Sequence, residues 1–203
     1  MQIRNVIFDF GGVLVRWRPR EIIESFYQDA RLRRLVQEAV FEHPDWVDWD
    51  RGTLSDDDAV ERFAARMQRP VEEMHRLMHH VRQSLDALDD SHALVRSLSA
   101  RGVPLYALSN MSRSTFAHLK THHEVFGHFR GIVISADIRL VKPDPRIFEH
   151  ISREFDLIPA ETVFIDDHLP NVEAARALGF RTIHFSDAAH CSGELRALGI
   201  ETA

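Results

Sequence analysis

"VIFDFGGVLV", Val6 to Val15, is an apolar run interrupted by one aspartate and then by two glycines. A short, continuous stretch of β-branched and aromatic residues ended by Gly11-Gly12 predicts a buried strand from Asn5 to Phe10. A carboxylate in such surroundings is costly unless something pairs with it. Asp9 is therefore either a satisfied structural acid or a reactive group. The run also contains D-F-G, which in kinases places an aspartate on magnesium, downstream of a glycine-rich loop, a strand lysine and a catalytic loop. Here only eight residues precede Asp9, and the chain holds no glycine-rich phosphate loop.

Similar runs recur at Pro104 to Ser109, Gly131 to Ser135, Thr162 to Asp166 and Arg181 to Phe185. None alternates cleanly between polar and apolar residues, which predicts strands covered on both faces and hence a parallel sheet between helices. Helices are expected between them. One runs from Ser91 to Arg101 and is stopped by Gly102. Another starts at a Ser112 cap and runs toward His122, and a third follows the Asp144-Pro145 start signal. The last spans Pro170 to Leu178 and is closed by Gly179. Strand and helix in alternation give a Rossmann-like, doubly wound α/β fold.

Residues 16–87 interrupt that alternation. They contain no strand-like run and read as helices, including Arg20 to Asp29, Arg31 to Phe41 and Ser55 to Met67; Ser55 with Asp58 marks a capping-box start. The stretch is longer than a crossover needs, so an all-helical cap inserted in a core of residues 1–15 and 88–203 is expected.

The net charge of -6 shows no electrostatic footprint for nucleic acid or an anionic membrane. The single cysteine, Cys191, excludes an internal disulfide, and no apolar run reaches the length of a membrane span. A cytoplasmic protein is expected; its oligomeric state is not set by the sequence. The pairs His75/His79 and His118/His122 have helical spacing that suits a metal, but no further ligand completes either set, so solvated helix faces are the better reading.

Open parallel sheets bind ligands beyond the carboxyl ends of their strands. The groups at those ends are Asp9, Ser109-Asn110, Lys142 and Asp166-Asp167. Singly, each has an ordinary structural explanation as a turn acid, a surface cation or a solvated loop. Together at one edge they suit phosphoryl transfer. Clustered carboxylates repel unless a cation lies between them, and hard oxygen ligands favour Mg2+. Asp9 could then attack phosphorus, Lys142 would neutralise developing charge, and Ser109 would hold phosphate oxygens.

Four segments, "FDFGGVL", "LSN", "KPDPRIF" and "VFIDDHLPNVEAARALG", resemble in order and spacing the four motifs of the haloacid dehalogenase-like (HAD) hydrolases. The resemblance covers essentially the whole chain. "WDRGTLSDDD" in the cap resembles the branch with bacterial glucose-1-phosphate phosphatases and the N-terminal phosphatase domain of soluble epoxide hydrolases. The resemblance implies Asp9 as the nucleophile that becomes an aspartyl-phosphate, and Ser109 and Asn110 as phosphate binders. It implies Lys142 as the steadying cation, and Asp9, the Gly11 carbonyl, Asp166 and Asp167 as the Mg2+ site. Asp167 is the expected direct ligand, with Asp166 holding waters or Lys142.

The pattern is broken at Gly11, where most phosphatases of the group carry a second aspartate as general acid and base. Such help typically contributes about 10²–10⁴-fold. A sugar 1-phosphate, whose hemiacetal oxygen leaves readily, is one substrate consistent with glycine there. Water or a cap residue is left to supply the base for the second step, with His43, Asp45 and Asp50 as the cap candidates. Trp17, Trp46 and Trp49 are candidate substrate-lining residues, although aromatics in a cap more often form its core. The expected function is Mg2+-dependent hydrolysis of a small-molecule phosphate ester. The alternatives are a metal-independent haloacid dehalogenase, against which Asp166-Asp167 argues, and a non-catalytic phosphate- or partner-binding protein.

Overall fold

The computed structural model describes residues 2–202. Its strands are β1 (Asn5–Phe8), β2 (Leu105–Ser109), β3 (Gly131–Ile134), β4 (Thr162–Asp166) and β5 (Arg181–His184). They form one all-parallel sheet in the order β3-β2-β1-β4-β5. The expected α/β fold is therefore observed. The clearest difference lies in β1, which ends at Phe8 rather than Phe10. Asp9 and Phe10 turn out of the ladder, and the Phe10 carbonyl accepts the N–H groups of Val13, Leu14 and Val15 at 3.2, 2.7 and 2.9 Å.

Between β1 and β2 run α1 (Pro19–Phe26), α2 (Ala30–Val36), α3 (Pro44–Asp50), α4 (Asp56–Met67), α5 (Val71–Gln83) and α6 (Asp89–Ala100). The expected helix to Phe41 changes character at Gln37 and finishes as a π-helical turn. α4 starts as anticipated, with Ser55 Oγ accepting from Asp58 N and donating to Asp58 Oδ2 at 2.6 Å. Two of these six helices, α3 and α5, were not singled out in the sequence. In α3, His43 Nδ1 caps the start by accepting from Asp45 N. In α5, Met74, Leu77, Met78 and Val81 line one face at helical spacing.

Beyond β2 come α7 (Arg113–His122), α8 (Ser135–Ile138), α9 (Pro145–Glu154), α10 (Leu169–Ala177) and α11 (Ala188–Ala197). Neighbouring β1 side chains go to opposite layers. Val6 and Phe8 join a cluster with α6, α7 and α11, whereas Ile7 joins one with α9 and α10. All three are fully buried, each such burial being worth about 1.5–3 kcal/mol. This two-sided burial explains the unbroken hydrophobicity of the strands. A third cluster is made from α1 to α5, including Phe63, Met74 and Leu77. The chain enters and leaves these helices side by side, with Arg16 N donating to Asp86 O and Leu88 N to Leu14 O at 2.8 and 2.9 Å.

Candidate active site

The chain reverses its direction of travel across the sheet between β1 and β4, and a crevice opens there at the strand ends. Phe8 pairs with Ile165, so the next residues, Asp9 and Asp166, leave the sheet together. Lys142, from the segment between α8 and α9, lies between them. Its Nζ is 2.9 Å from Asp9 Oδ1 and 2.6 Å from Asp166 Oδ2. Asp9, Asp166 and Lys142 are all buried. Burial pushes the Asp9 carboxyl up to about 7, against the pull of Lys142 and with a push from Asp166. Burial alone would lower the Lys142 ammonium; the two carboxylates more than reverse this and hold it up.

Asp166 is saturated with donors. Besides Lys142, it accepts from His168 N at 2.8 Å and from Asn171 Nδ2 at 3.0 and 3.1 Å. Asn171, on the first turn of α10, has no role in the sequence reading; its signal is its position five residues after Asp166. Asp167 is more open. Burial raises its carboxyl, and the neighbouring Asp166 adds to this. Asp9, Asp166 and Asp167 each present one oxygen within 4.8 Å of the others. Three carboxylates against one lysine leave an excess of negative charge. This all-oxygen donor set fits a hard divalent cation such as Mg2+. It is the one such group among the described residues; the His118 and His122 rings merely stack at 4.0 Å on α7.

Two backbone features make the cluster possible. Gly12 has φ +72, and a Cβ there would lie 2.1 Å from Asp167 Oδ2, so any other residue would be strained and would displace the Asp167 carboxylate. Asn110 clamps the Lys142 peptide, accepting from its N–H at 2.7 Å and donating to its carbonyl at 2.9 Å. The Asn110 side chain, expected at a phosphate, is thus engaged in positioning Lys142. Ser109 is buried at the end of β2 and lines the cavity.

The cluster floors a cavity of about 400 Å³ that Gly11 also lines, within the range of small-molecule sites. Of the three candidate proton carriers, Asp45 is taken by Arg62 and Arg66. Burial opposes its ionisation, but these two cations hold its carboxyl down. His43 caps α3. Only Asp50 reaches the cavity wall. It lies between cap and core, and burial pushes it up to about 8 against the pull of Ser112 N–H and the Trp46 indole. Its backbone carbonyl accepts from Ser135 Oγ. Gly52 (φ +73) lies so close to α8 that a Cβ would meet Ala136 O at 2.4 Å. The three tryptophans also line the cavity.

The chain matches the haloacid dehalogenase-like hydrolases over residues 3–179. It is 31% identical to a sesquiterpene phosphatase from Aspergillus oryzae, with 96% of each chain covered. It is 25% identical to a D-ribitol-5-phosphate phosphatase from Bacteroides thetaiotaomicron, over 97% of this chain and 98% of the other. In fold it is similar to a HAD family enzyme from the same bacterium, crystallised with magnesium and inorganic phosphate. That structure has a TM-score of 0.78 and 22% identity, covering 91% of this chain and 95% of the other. The chain belongs to the haloacid dehalogenase-like hydrolase family and is an enzyme with phosphatases among its relatives.

Proposed function

We propose that the protein is a Mg2+-dependent phosphatase that cleaves a small phosphate monoester through a phosphorylated Asp9. The observation that carries this reading is the Asp9–Lys142–Asp166 chain of contacts at 2.9 and 2.6 Å, with Asp167 alongside. Asp9, Asp167 and the Gly11 carbonyl would hold Mg2+. The ion would supply charge neutralisation between nucleophile and phosphate. Asp166 would keep Lys142 in place, and Ser109 would hold a phosphate oxygen.

Asp9 then forms a bond to phosphorus as the bond to the ester oxygen breaks. Asp50 gives its proton to the leaving alcohol, and later takes one from the water that releases phosphate and restores the Asp9 carboxylate. The cap thus replaces what Gly11 lacks, and the leaving-group argument for a sugar 1-phosphate loses its force. The boundaries proposed for the cap, 16–87, and a cytoplasmic location go with this reading.

The test is hydrolysis of p-nitrophenyl phosphate with magnesium. Asp9→Asn and chelation should each abolish it, and full activity in either case would contradict the proposal. Metal-free chloride release from 2-chloropropionate would favour the dehalogenase instead.

A further inference from the structure

The similar phosphatases are named for phosphate esters of an apolar and a polar alcohol, a sesquiterpene and D-ribitol, so likeness alone does not identify the substrate. The cavity wall is more informative. Most of its polar groups come from the loops that follow the strands, among them Asp9, Ser109, Lys142, Asp167 and His168, and Thr115 and Asp50 also line it. Its apolar lining includes Val15, Trp17, Trp46, Val81, Leu85 and Met111. From this pattern we propose that the leaving group is an apolar alcohol, a hydrocarbon chain or ring system seated against these side chains, rather than a polyol. This rests on the phosphatase reading above and specifies its substrate class.

Three observations support it. A sugar presents several hydroxyls, each of which loses water on entry and needs a partner in return. At the cap side, Trp49 Nε1 already donates to Asp56 at 2.5 Å. Second, Trp17 and Trp46 face one another at 5.8 Å between ring centres, and Phe41 stacks behind Trp46 at 4.6 Å. They form a fixed aromatic wall, not a set of donors. Third, the side chain missing at Gly11 would rise beside Trp17, its Cβ 3.7 Å from Trp17 Cβ. Glycine there leaves the apolar wall uncharged down to the nucleophile. At the roughly 30 Å³ each water takes in the liquid, about 400 Å³ holds on the order of a dozen non-hydrogen atoms. That is a phosphate and roughly seven or eight carbons.

The three tryptophans of the chain all line this cavity, so their fluorescence reports its occupancy directly. The experiment titrates the magnesium-loaded protein with n-alkylphosphonates of increasing length, which bind without being hydrolysed. The expected Kd falls about fourfold per added methylene, the factor for one buried methylene, and levels off at roughly seven or eight carbons. Turnover of n-octyl phosphate should exceed that of glucose 1-phosphate and ribitol 5-phosphate by at least tenfold in kcat/KM. A Kd independent of chain length, or preference for either polyol ester, would overturn the apolar assignment and leave the phosphatase reading standing. Length-dependent binding without turnover of any ester, p-nitrophenyl phosphate included, would support the apolar site and overturn the phosphatase reading.

Discussion

A carboxylate is worth what its neighbours make of it, and Asp9 and Asp50 show two outcomes. Asp9 is raised by burial yet held by Lys142. Asp50 is raised further, to about 8, by burial that its two donors only partly offset. An unfolded aspartate ionises near 3.8, so the folded protein binds the extra proton between these values. Stability therefore declines as pH rises from about 4 to 8, by on the order of a few kcal/mol for one such group. Asp50→Asn should raise the melting temperature at pH 8 and change it little near pH 4. A lower melting temperature at pH 8 would show that the ionised form is the one the fold favours.

The same substitution should slow hydrolysis of an alkyl phosphate about 10²–10⁴-fold. Phosphorylation by p-nitrophenyl phosphate, whose leaving group needs no proton, should suffer least. Equal loss in the phosphorylation step on both esters, read from single turnovers, would mark Asp50 as a clasp between cap and core. At Gly12, a methyl group has no space beside Asp167 and the backbone is left-handed. Gly12→Ala should therefore remove magnesium-dependent activity, measured on purified folded protein.

The elements were more legible than their junctions. β4 and the caps at Ser55, Ser112 and Asp144 follow from local chemistry, because an apolar run or a hydroxyl before a helix acts within a few residues. The end of β1 was not legible, since Phe10 looks like strand but its carbonyl closes a turn. Long-range polar partners leave no periodic trace. Asn110 turns to the Lys142 backbone, and Asn171 to Asp166, only because the fold brings them there. Nor does spacing separate Asp50, at the cavity, from Asp45, paired with Arg66.

Two histidines are a further case. His92 Nε2 lies 3.0 Å from Leu14 O, and His123 Nε2 lies 3.0 Å from Leu85 O, where the chain enters and leaves the helical segment. His92→Ala should cost about 1–3 kcal/mol by leaving the Leu14 carbonyl unsatisfied, read as a shift in the denaturation midpoint. An unchanged midpoint would show that water satisfies that carbonyl.

At the scale of the whole molecule, a parallel sheet and a helical cap each bury their own apolar cluster, and the reactive groups lie where the two face each other. The sheet supplies charge, from the ends of β1 and β4. The cap supplies Asp50 and, through Trp46 and Val81, part of the apolar lining, which Val15, Leu85 and Met111 complete from the core. Because the acid cluster repels itself, a bound cation should stabilise the entire fold. Magnesium at a hundredfold excess over its Kd should add about 2.7 kcal/mol, seen as a raised melting temperature that Asp167→Asn abolishes. An equal rise in that variant would place the ion elsewhere.

The most direct measurement is an acid quench of the magnesium-loaded enzyme during turnover of a radiolabelled phosphate ester. The account predicts protein-bound label that hydroxylamine releases, located in the peptide carrying Asp9 and absent from Asp9→Asn. Steady turnover with no label on the protein, or label retained in Asp9→Asn, would contradict it.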